Sequence, residues 1–402
     1  MKLQMPKGAA DIIERLEENG FQAYAVGGCV RDSILGKVPQ DWDITTSARP
    51  EQVKAVFPRT IDTGIQHGTV TVMVEGTGYE VTTYRIDGEY VDGRHPRSVE
   101  FTPDLLEDLK RRDFTINAMA YSDREGLVDA FDGREDLKKG IVRCVGDPVC
   151  RFTEDALRIL RAVRFSAQLG FSIEKDTRQA AQTLAANLSK VSRERVQVEL
   201  TKLLLSDHPE KIRLVYDMGL APYITEGFCQ ARERCLVNLD RLSKTAPEKH
   251  VRWAAFLRFE KPELAAGILR DLKMDNDTID KVKTLIFAAK EKLRPEKPEI
   301  RRVMSRLSSK LYQDLLDIWE IYGREEERER LRQIRRLSEQ IIEDGDCICL
   351  KNLAVSGKDL IEAGRKPGPE LGKTLNYLFQ LVLDHPEYNT KEYLMKAVGD
   401  ER

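Results

Sequence analysis

The alternation of hydrophobic and polar positions changes character near residue 150. Before it, an amphipathic run from Gly8 to Asn19 is followed by AYAV, a short helical pattern that ends near Leu35, and the segments DWDIT, TVTVMVE and YEVTTYR. Apolar residues spaced by three and four predict helices, whereas short runs rich in β-branched residues predict strands. After Arg151 the helical period continues almost without interruption. The pattern therefore predicts an α+β fold, in which a mixed sheet with helices precedes an all-α remainder.

Length and prolines suggest further divisions. A chain of 402 residues is expected to form several domains, at roughly 100–200 residues each. Pro295 and Pro298 mark a linker or a helix start before the last segment. We predict a first domain at residues 1–148, followed by helical segments at 149–210, 211–294 and 295–402.

Composition excludes several classes of protein. The 65 Lys and Arg residues nearly balance the 67 Asp and Glu residues, so any surface for nucleic acid must be local. The seven cysteines include no C-x-x-C pair, which argues against a disulfide framework and a thiolate zinc site. No run of about 20 apolar residues occurs, so no membrane segment is expected. We expect a protein of the reducing cytoplasm.

Asp41 and Asp43 form the first candidate site. They flank Trp42, and if this segment is a strand, its two-residue period sends both carboxylates to one face. Paired carboxylates suit Mg²⁺, which takes oxygen ligands and commonly binds substrate phosphates as well. By itself the spacing also fits two solvent-facing aspartates at a strand end.

The preceding segment AYAVGGCVRDSILG strengthens this interpretation. A predicted strand runs into Gly27 and Gly28 and then into a short helix, so the backbone can approach a phosphate closely. Arg31 lies in the first turn of that helix, where it could reach a triphosphate, and Asp32 could orient it. A simple Gly-Gly turn is the alternative.

These motifs, together with Arg-Arg-Asp-Phe-Thr-Ile-Asn-Ala at residues 111–118, resemble the class II nucleotidyltransferases, the family of bacterial CCA-adding enzymes and poly(A) polymerases. The resemblance extends through the first half of the chain. It implies a polymerase-β-like nucleotidyltransferase head followed by helical neck, body and tail. It also implies that Arg112 contacts nucleotide phosphates and that Asp113 and Asn117 lie near the ribose.

Glu80 is the third acidic residue that we expect beside the metal ions. It lies in YEVTTYR, at a strand where the family also has an acidic residue. A further oxygen ligand, or a base near the primer hydroxyl, suits two-metal phosphoryl transfer. A surface glutamate on an edge strand is the alternative.

The segment EDALRILRAVRF is similar to the family's E-D-x-x-R motif, which reads the incoming base. An ionised Asp155 only accepts hydrogen bonds and Arg158 only donates them, so the pair matches the Watson–Crick edges of cytosine and adenine. Uracil and guanine place a carbonyl where those bases have an amino group. Arg161 and Arg164 follow at helical spacing, where phosphates are the expected ligands. An intrahelical ion-pair ladder is the alternative.

Two further segments resemble parts of CCA-adding enzymes. Asp92, Gly93 and Arg94 match a flexible loop that is absent from relatives that add only CC. Near the C-terminus, Lys366, Gly368 and Lys373 surround a helix start that could grip a tRNA phosphate. Helix capping alone would also explain the second pattern.

The resemblance implies addition or repair of the 3′-terminal CCA of tRNA, with CTP and ATP as substrates and Mg²⁺ as cofactor. The acceptor arm and elbow of tRNA are the expected contacts. An A-adding enzyme that works with a separate CC-adding partner is the main alternative, followed by a poly(A) polymerase and by a catalytically silent tRNA-binding protein. The oligomeric state stays open between a monomer and a homodimer.

Overall fold

The computed structural model describes residues 2–88 and 99–399. By its internal contacts the chain forms two compact units. The first comprises Met1–Arg232 with Asp271–Met274, and the second comprises Glu233–Arg270 with Asp275–Arg402. The finer division into a head, neck, body and tail at the boundaries given above stays a prediction.

Within residues 2–88 and 99–399, eleven strands belong to the first unit. They are β1 Ala23–Val26, β2 Ile44–Thr46, β3 Thr60–Gly64, β4 Thr69–Val74, β5 Thr77–Thr83, β6 Arg85–Asp87, β7 Val99–Phe101, β8 Ala120–Ser122, β9 Gly126–Val128, β10 Ile141–Val142 and β11 Ser172–Ile173. The helices up to residue 230 are α1 Lys7–Glu18, α2 Gly28–Ile34, α3 Pro50–Val56, α4 Leu105–Lys110, α5 Gly133–Lys139, α6 Pro148–Glu154, α7 Leu157–Leu169, α8 Lys175–Thr183, α9 Arg193–Leu204, α10 Arg213–Asp217 and α11 Glu226–Gln230.

The remaining described helices are α12 Arg232–Cys235, α13 Lys249–Leu257, α14 Pro262–Asp271, α15 Asn276–Ala289, α16 Lys297–Arg306, α17 Ser309–Tyr322, α18 Arg328–Glu343, α19 Gly357–Glu362, α20 Pro369–Asp384 and α21 Lys391–Gly399. In the second unit α15 packs against both α13 and α17. A separate hydrophobic cluster joins α19, α20 and α21 through Leu360, Leu378 and Leu394, each fully buried. Among the described residues, no helix has the length and apolar character needed to cross a bilayer.

A seven-stranded mixed sheet organises the first unit, in the order β3-β4-β5-β2-β1-β8-β9. β2 and β5 run parallel, and the other neighbouring pairs are antiparallel. The four residues of β1 are all buried, as expected for a central strand with few polar positions. The predicted α+β class, with a mixed sheet in the first part, is confirmed.

The hairpin between β4 and β5 sets the register at the centre of the sheet. Its two turn residues, Glu75 and Gly76, have φ angles of 50° and 85°. Positive φ at both positions defines a type I′ turn, whose twist matches that of the flanking strands. The turn pairs Thr71 with Glu80.

Three local departures from the predicted pattern occur. β2 begins at Ile44, so Asp41 and Asp43 lie in the extended segment before the strand rather than within it. The segment EDALRILRAVRF is not one helix, because α6 ends at Glu154 and α7 begins at Leu157. The helical part also contains the short strand β11, which pairs parallel to β10.

Candidate active site

A cleft of about 600 Å³ brings the three predicted carboxylates together. Asp41, Asp43 and Glu80 all line it. Ile44 of β2 pairs with Val81 of β5 in parallel register. The residues one position earlier, Asp43 and Glu80, are therefore neighbours on the same face of the sheet. Trp42, between the two aspartates, is buried as the alternation predicts.

The three carboxylates concentrate negative charge in this cleft and repel one another. Desolvation by the cleft walls raises the pKa of the Asp43 carboxyl, Glu80 and Asp41 raise it further, and the Arg112 guanidinium lowers it. A divalent cation would relieve this repulsion, and carboxylate oxygens are the ligands that hard cations prefer. The donor set therefore fits a metal of the magnesium type.

The turn after β1 requires glycine at one of its two positions. Gly27 has φ 82° and ψ −126°, a conformation that L side chains rarely adopt. A Cβ atom there would lie 3.2 Å from Arg112 Nη1, whereas one on Gly28 would meet only the Arg31 Nη2 atom, at 3.7 Å. Gly27 thus allows an arginine side chain to lie against the turn.

A second pocket, of about 450 Å³, opens beside this turn. Six arginines and three aspartates contribute to its lining, so its net charge is positive and suits a polyanion. Asp43 lines both this pocket and the carboxylate cleft. The predicted residues that meet here are Gly27, Gly28, Arg31, Asp43, Arg112, Asp113, Asn117, Asp155, Arg158 and Arg161.

One hydrogen-bonded chain fixes the floor of the arginine pocket. Arg31 Nη1 donates to Asn117 Oδ1 at 2.6 Å, and Asn117 Nδ2 donates to Asp113 Oδ1 at 3.2 Å. Arg161 Nε donates to the other Asp113 oxygen at 2.7 Å. Burial alone would raise the pKa of Asp113, but the guanidinium of Arg161 and the Asn117 amide outweigh it and lower this pKa to about 2. Asp113 is therefore ionised and holds two pocket side chains in place.

Asp108 was not predicted from the sequence, although it fixes both neighbouring arginines. The side chain is fully buried; its Oδ1 accepts from Arg111 Nη2 at 2.7 Å and its Oδ2 from Arg112 Nη2 at 3.3 Å. The Thr45 hydroxyl also donates to it, at 3.1 Å. In sequence Asp108 is one acid in the run LLEDLKRR, and nothing in that run distinguishes it from the partly exposed Glu107.

Replacing Asp108 should weaken nucleotide binding more than turnover. Burial raises the pKa of its carboxyl, but Arg111 and Arg112 together lower it below the usual value. The stabilisation is therefore present at neutral pH and is lost only as the pH falls through this lowered pKa. For Asp108→Asn we expect a loss of about 3–5 kcal/mol in the free energy of unfolding, typical of a broken buried ion pair. KM for the nucleotide should rise about tenfold with a smaller change in kcat.

Asp136→Asn is the matched control for that variant. Asp136 is also buried and binds an arginine, Arg143, at 3.1 Å, but it does not line the arginine pocket. The Asp136→Asn variant should have a lower free energy of unfolding but an unchanged KM for the nucleotide. Steady-state kinetics and urea unfolding of both variants test this, and equal effects on KM would assign Asp108 a purely structural role.

The helix break after Glu154 presents Asp155 at the pocket. Asp155 Oδ1 accepts from the Leu157 backbone N–H at 3.0 Å, which caps α7, and its Oδ2 accepts from Arg195 Nη2 at 2.7 Å. Arg158 Nη1 donates to Glu154 Oε2 at 2.6 Å. Arg195 therefore holds Asp155 in place, and Glu154 holds Arg158. Arg195, some 40 residues away in sequence, carries no motif that would have revealed it.

Arg164 does not line the arginine pocket, but it lines a neighbouring cleft together with Arg31 and Asp43. It is buried and donates to the buried Glu199. Its guanidinium lies 3.9 Å from the centroid of the Phe165 ring, which Arg31 and Arg161 also approach, at 5.2 and 5.5 Å. Phe165 is a shared cation–π platform, and its position in an apolar helical stripe gave no sign of this.

Two predicted segments remain. Asp92, Gly93 and Arg94 fall outside the described residues. Gly368, with φ 147°, precedes α20, and Lys373 in that helix lies 2.7 Å from Glu370 Oε1. Lys366 is exposed before the same helix. These residues belong to the second unit.

The second unit contains one close group of metal-ligand types among the described residues, formed by Glu248, His250 and Asp314. Lys310 Nζ lies 2.6 Å from a Glu248 oxygen and 2.8 Å from an Asp314 oxygen. This ammonium offsets half of the carboxylate charge, and His250 Nε2 lies 2.8 Å from an Asp314 oxygen, so we assign the group no metal.

Family models match three parts of the chain. The poly A polymerase head domain matches residues 23–143, the RNA and SrmB-binding site of polymerase A matches residues 170–231, and the tRNA nucleotidyltransferase domain 2 matches residues 245–398. The head-domain match covers the mixed sheet, the carboxylate cleft and the Gly27 turn. Fold and site together define a nucleotidyltransferase of a metal-dependent class.

Curated relatives and a solved structure narrow this class. The chain is 40% identical to the CCA-adding enzyme of Leuconostoc mesenteroides, over 98% of this chain and 96% of that protein. It is 38% identical to that of Levilactobacillus brevis, over 98% and 97%. The crystal structure of the Bacillus stearothermophilus CCA-adding enzyme in complex with CTP is 33% identical, with a TM-score of 0.84 over 98% of this chain and 99% of that one. The chain belongs to the family of CCA-adding enzymes.

Proposed function

We propose that this enzyme adds or repairs the 3′-terminal CCA of tRNA, with CTP and ATP as substrates. The observation that carries the proposal is the position of Asp43, which lines both the carboxylate cleft and the arginine pocket. A triphosphate bound by the arginines would have its phosphates next to the carboxylates that would hold the metal. Asp155 and Arg158 line the same pocket and supply groups to read a base.

The reaction is an in-line substitution at phosphorus. The 3′-oxygen of the RNA attacks the α-phosphate of the nucleotide, the bond to pyrophosphate breaks, and the attacking hydroxyl loses its proton. Asp41 and Asp43 would hold Mg²⁺, with Glu80 as a further oxygen ligand or a base. When bound, these ions would activate the attacking oxygen and neutralise charge on the leaving pyrophosphate.

Several pocket residues would position the nucleotide. Arg112 lies against the Gly27 turn and acts electrostatically on Asp43, and Arg31 lines the same pocket; both would bind phosphate oxygens. Asp113 and Asn117 would contact the ribose, since both carry polar atoms in the same pocket. Arg161 is already bound to Asp113 and would mainly keep that carboxylate ionised.

The base would be selected by donor and acceptor matching. Each Asp155 oxygen already accepts one hydrogen bond, and a carboxylate oxygen can accept a second one. The amino group of cytosine or adenine would donate to it, and Arg158 would donate to the adjacent ring nitrogen. Uracil and guanine would place a carbonyl against the carboxylate, leaving two acceptors face to face.

Nucleotide addition can be tested directly with a tRNA that ends at the discriminator base. The tRNA is incubated with one labelled nucleotide at a time, and product length is read on a gel. We expect CTP alone to extend it by two residues, and ATP to add one residue only after both cytidines. Extension by ATP only of tRNA that already ends in CC would identify an A-adding enzyme. Long ATP-dependent products would identify a poly(A) polymerase.

The tail lysines should contribute to tRNA binding but not to nucleotide choice. Replacing Lys366 and Lys373 by alanine removes two exposed cations beside the start of α20. The logarithm of the tRNA association constant decreases with the logarithm of the salt concentration. If both lysines contact phosphate, this dependence should become less steep by roughly 0.7–0.9 per lost contact. Fluorescence anisotropy with labelled tRNA across a salt series measures this slope.

A double variant of Lys351 and Lys358 provides the control, because both are exposed lysines of the same unit. Lys358 pairs with a glutamate on its own helix, as Lys373 does. A slope that changes equally in both double variants would assign Lys366 and Lys373 to general surface charge.

A further inference from the structure

A cavity of about 320 Å³ lies within the second unit, and none of the residues assigned above to nucleotide transfer lines it. Its walls come from the ends of α13, α15 and α17 and the start of α18. They combine aromatic rings with cationic side chains. The residues that matter below are Arg258, Phe259, Lys292, Trp319, Tyr322 and Arg330.

Arg258 is the central group of this cavity. Only 7% of it is exposed, and its guanidinium lies 3.8 Å from the centroid of the Tyr322 ring and 4.2 Å from that of Phe259. Its Nη atoms donate to backbone carbonyls of Ala255 and Val237, but its Nε has no hydrogen-bond partner in the described parts of the chain. Within residues 2–88 and 99–399 it also forms no ion pair with a carboxylate.

Tyr322 adds a second polar atom without a partner. Its hydroxyl is buried and, among the described residues, makes no hydrogen bond. A buried polar group in that state costs roughly 1–3 kcal/mol. A bound molecule that offers hydrogen-bond acceptors to Arg258 Nε and to the Tyr322 hydroxyl would recover part of this cost.

The mouth of the cavity is positively charged. Lys292 is exposed and forms no ion pair with any residue that the structure describes. The two acids of the lining are already compensated, since Glu291 lies 2.8 Å from Arg306 and Glu327 lies 3.1 Å from Arg330. Arg258 and Lys292 therefore leave the cavity with a net positive charge that a ligand can meet.

The depth of the cavity depends on a glycine. A Cβ atom on Gly323 would lie 2.6 Å from the backbone oxygen of Trp319 and 3.0 Å from Leu331 Cδ1. The chain can turn this tightly after α17 only without a side chain. The turn leaves the Trp319 and Tyr322 rings as walls.

We propose that this cavity binds one nucleotide, with its base against the aromatic walls and its phosphate at Lys292. A base is planar, which suits stacking on Phe259 or Trp319, and carries carbonyl and ring-nitrogen acceptors for Arg258 Nε and the Tyr322 hydroxyl. The choice of a nucleotide over other planar anions rests on the proposed function, under which this chain meets both RNA and free nucleotides. The source is therefore either an unpaired nucleotide of RNA or a free one.

Two photoreactive probes distinguish these sources, namely 8-azido-AMP and a tRNA transcript that contains 4-thiouridine. Each is irradiated with the full-length protein, and the labelled peptides are identified by mass spectrometry. We expect label on peptides that contain residues 258–259 or 318–323. Label from the transcript alone indicates RNA, and label from 8-azido-AMP alone indicates a free nucleotide. Absence of label on these peptides with both probes would overturn the proposal.

Variants separate binding in the cavity from labelling of any exposed surface. Phe259→Ser combined with Lys292→Gln should reduce the label at these peptides at least about fivefold, the effect of losing one stacked aromatic ring. Phe287→Ser combined with Lys283→Gln is the control, since both residues lie on α15 outside the cavity and Phe287 is 56% exposed, against 46% for Phe259. Equal loss in both pairs would contradict the proposal. Labelling needs no nucleotide transfer, so failure of CCA addition would leave this result interpretable.

Discussion

Asp43→Asn is expected to reduce nucleotide transfer by a factor on the order of 10³ while tRNA binding persists. This carboxylate lines both the carboxylate cleft and the arginine pocket, so under the proposed assignment its loss removes a metal ligand that a neutral amide replaces poorly. Metal stabilisation of the transition state contributes several kcal/mol, and each 1.4 kcal/mol corresponds to about tenfold in rate. Single-turnover incorporation of labelled CTP measures the loss, and gel-shift titration measures tRNA binding.

The same variant should be more stable than the wild type in metal-free buffer. The pKa of Asp43 is raised by burial and by neighbouring carboxylates, so its charged form is less favourable in the folded protein than in the unfolded chain. Replacing the Asp43 carboxylate by a neutral amide should therefore raise Tm at neutral pH. The additional rise of Tm that Mg²⁺ causes in the wild type should be absent from the variant.

Glu75→Gln is the control for the loss of activity. Glu75 is an exposed acid at the β4–β5 turn, and its replacement should leave activity unchanged. Activity of Asp43→Asn within tenfold of wild type would remove the metal assignment.

Asp155→Ala is expected to change which nucleotide is incorporated. A good bidentate contact with a base discriminates by about 1–3 kcal/mol, or roughly 5- to 150-fold. CTP and ATP incorporation should fall, and the relative use of UTP should rise because the acceptor that opposes the uracil carbonyl is absent. A purely structural ion pair with Arg195 would contribute only about 0.2–1 kcal/mol and would not depend on the nucleotide.

Because Asp155 also caps α7, its replacement needs a control for helix capping. Asp147 caps α6 in the same way, accepting from the Val149 backbone N–H at 3.0 Å, and does not line the pocket. Asp147→Ala should therefore lose a similar stability, typically about 1 kcal/mol, with unchanged nucleotide ratios. Incorporation of each of the four nucleotides is compared for both variants. Wild-type ratios in a folded Asp155→Ala protein would contradict base reading.

The sequence revealed the elements whose signals are local. Hydrophobic periodicity predicted α1, β1, β4 and β5, and it correctly predicted an α+β fold. The spacing of Asp41 and Asp43 predicted a carboxylate pair, whereas Glu80, Arg112, Asp113 and Asn117 were expected from the resemblance to the nucleotidyltransferases. These residues line two adjoining cavities, and their roles stay predictions. For the helices and strands the information lies within about ten neighbouring residues, which is the range over which hydrophobic spacing can be read.

What the sequence did not reveal depends on contacts between distant segments. Arg195 reaches Asp155 from a helix 40 residues away, and Asp108 becomes distinct from its acidic neighbours only by its burial under Thr45. The break before α7 was also missed. The apolar period continues through this break in the sequence. In the structure the break is marked by the hydrogen bond that the Leu157 backbone N–H donates to the Asp155 carboxylate at the start of α7.

The number of residues in the type I′ turn at Glu75 and Gly76 determines on which face of the sheet Glu80 lies. β5 receives its alignment from this turn on one side and from β2 on the other, so the side on which Glu80 emerges depends on how many residues the turn contains. Insertion of one residue between Gly76 and Glu80 would exchange the two faces of the strand. The acid would then leave the cleft although no functional side chain had been replaced. Natural variation in this turn should therefore be restricted in length more than in residue type.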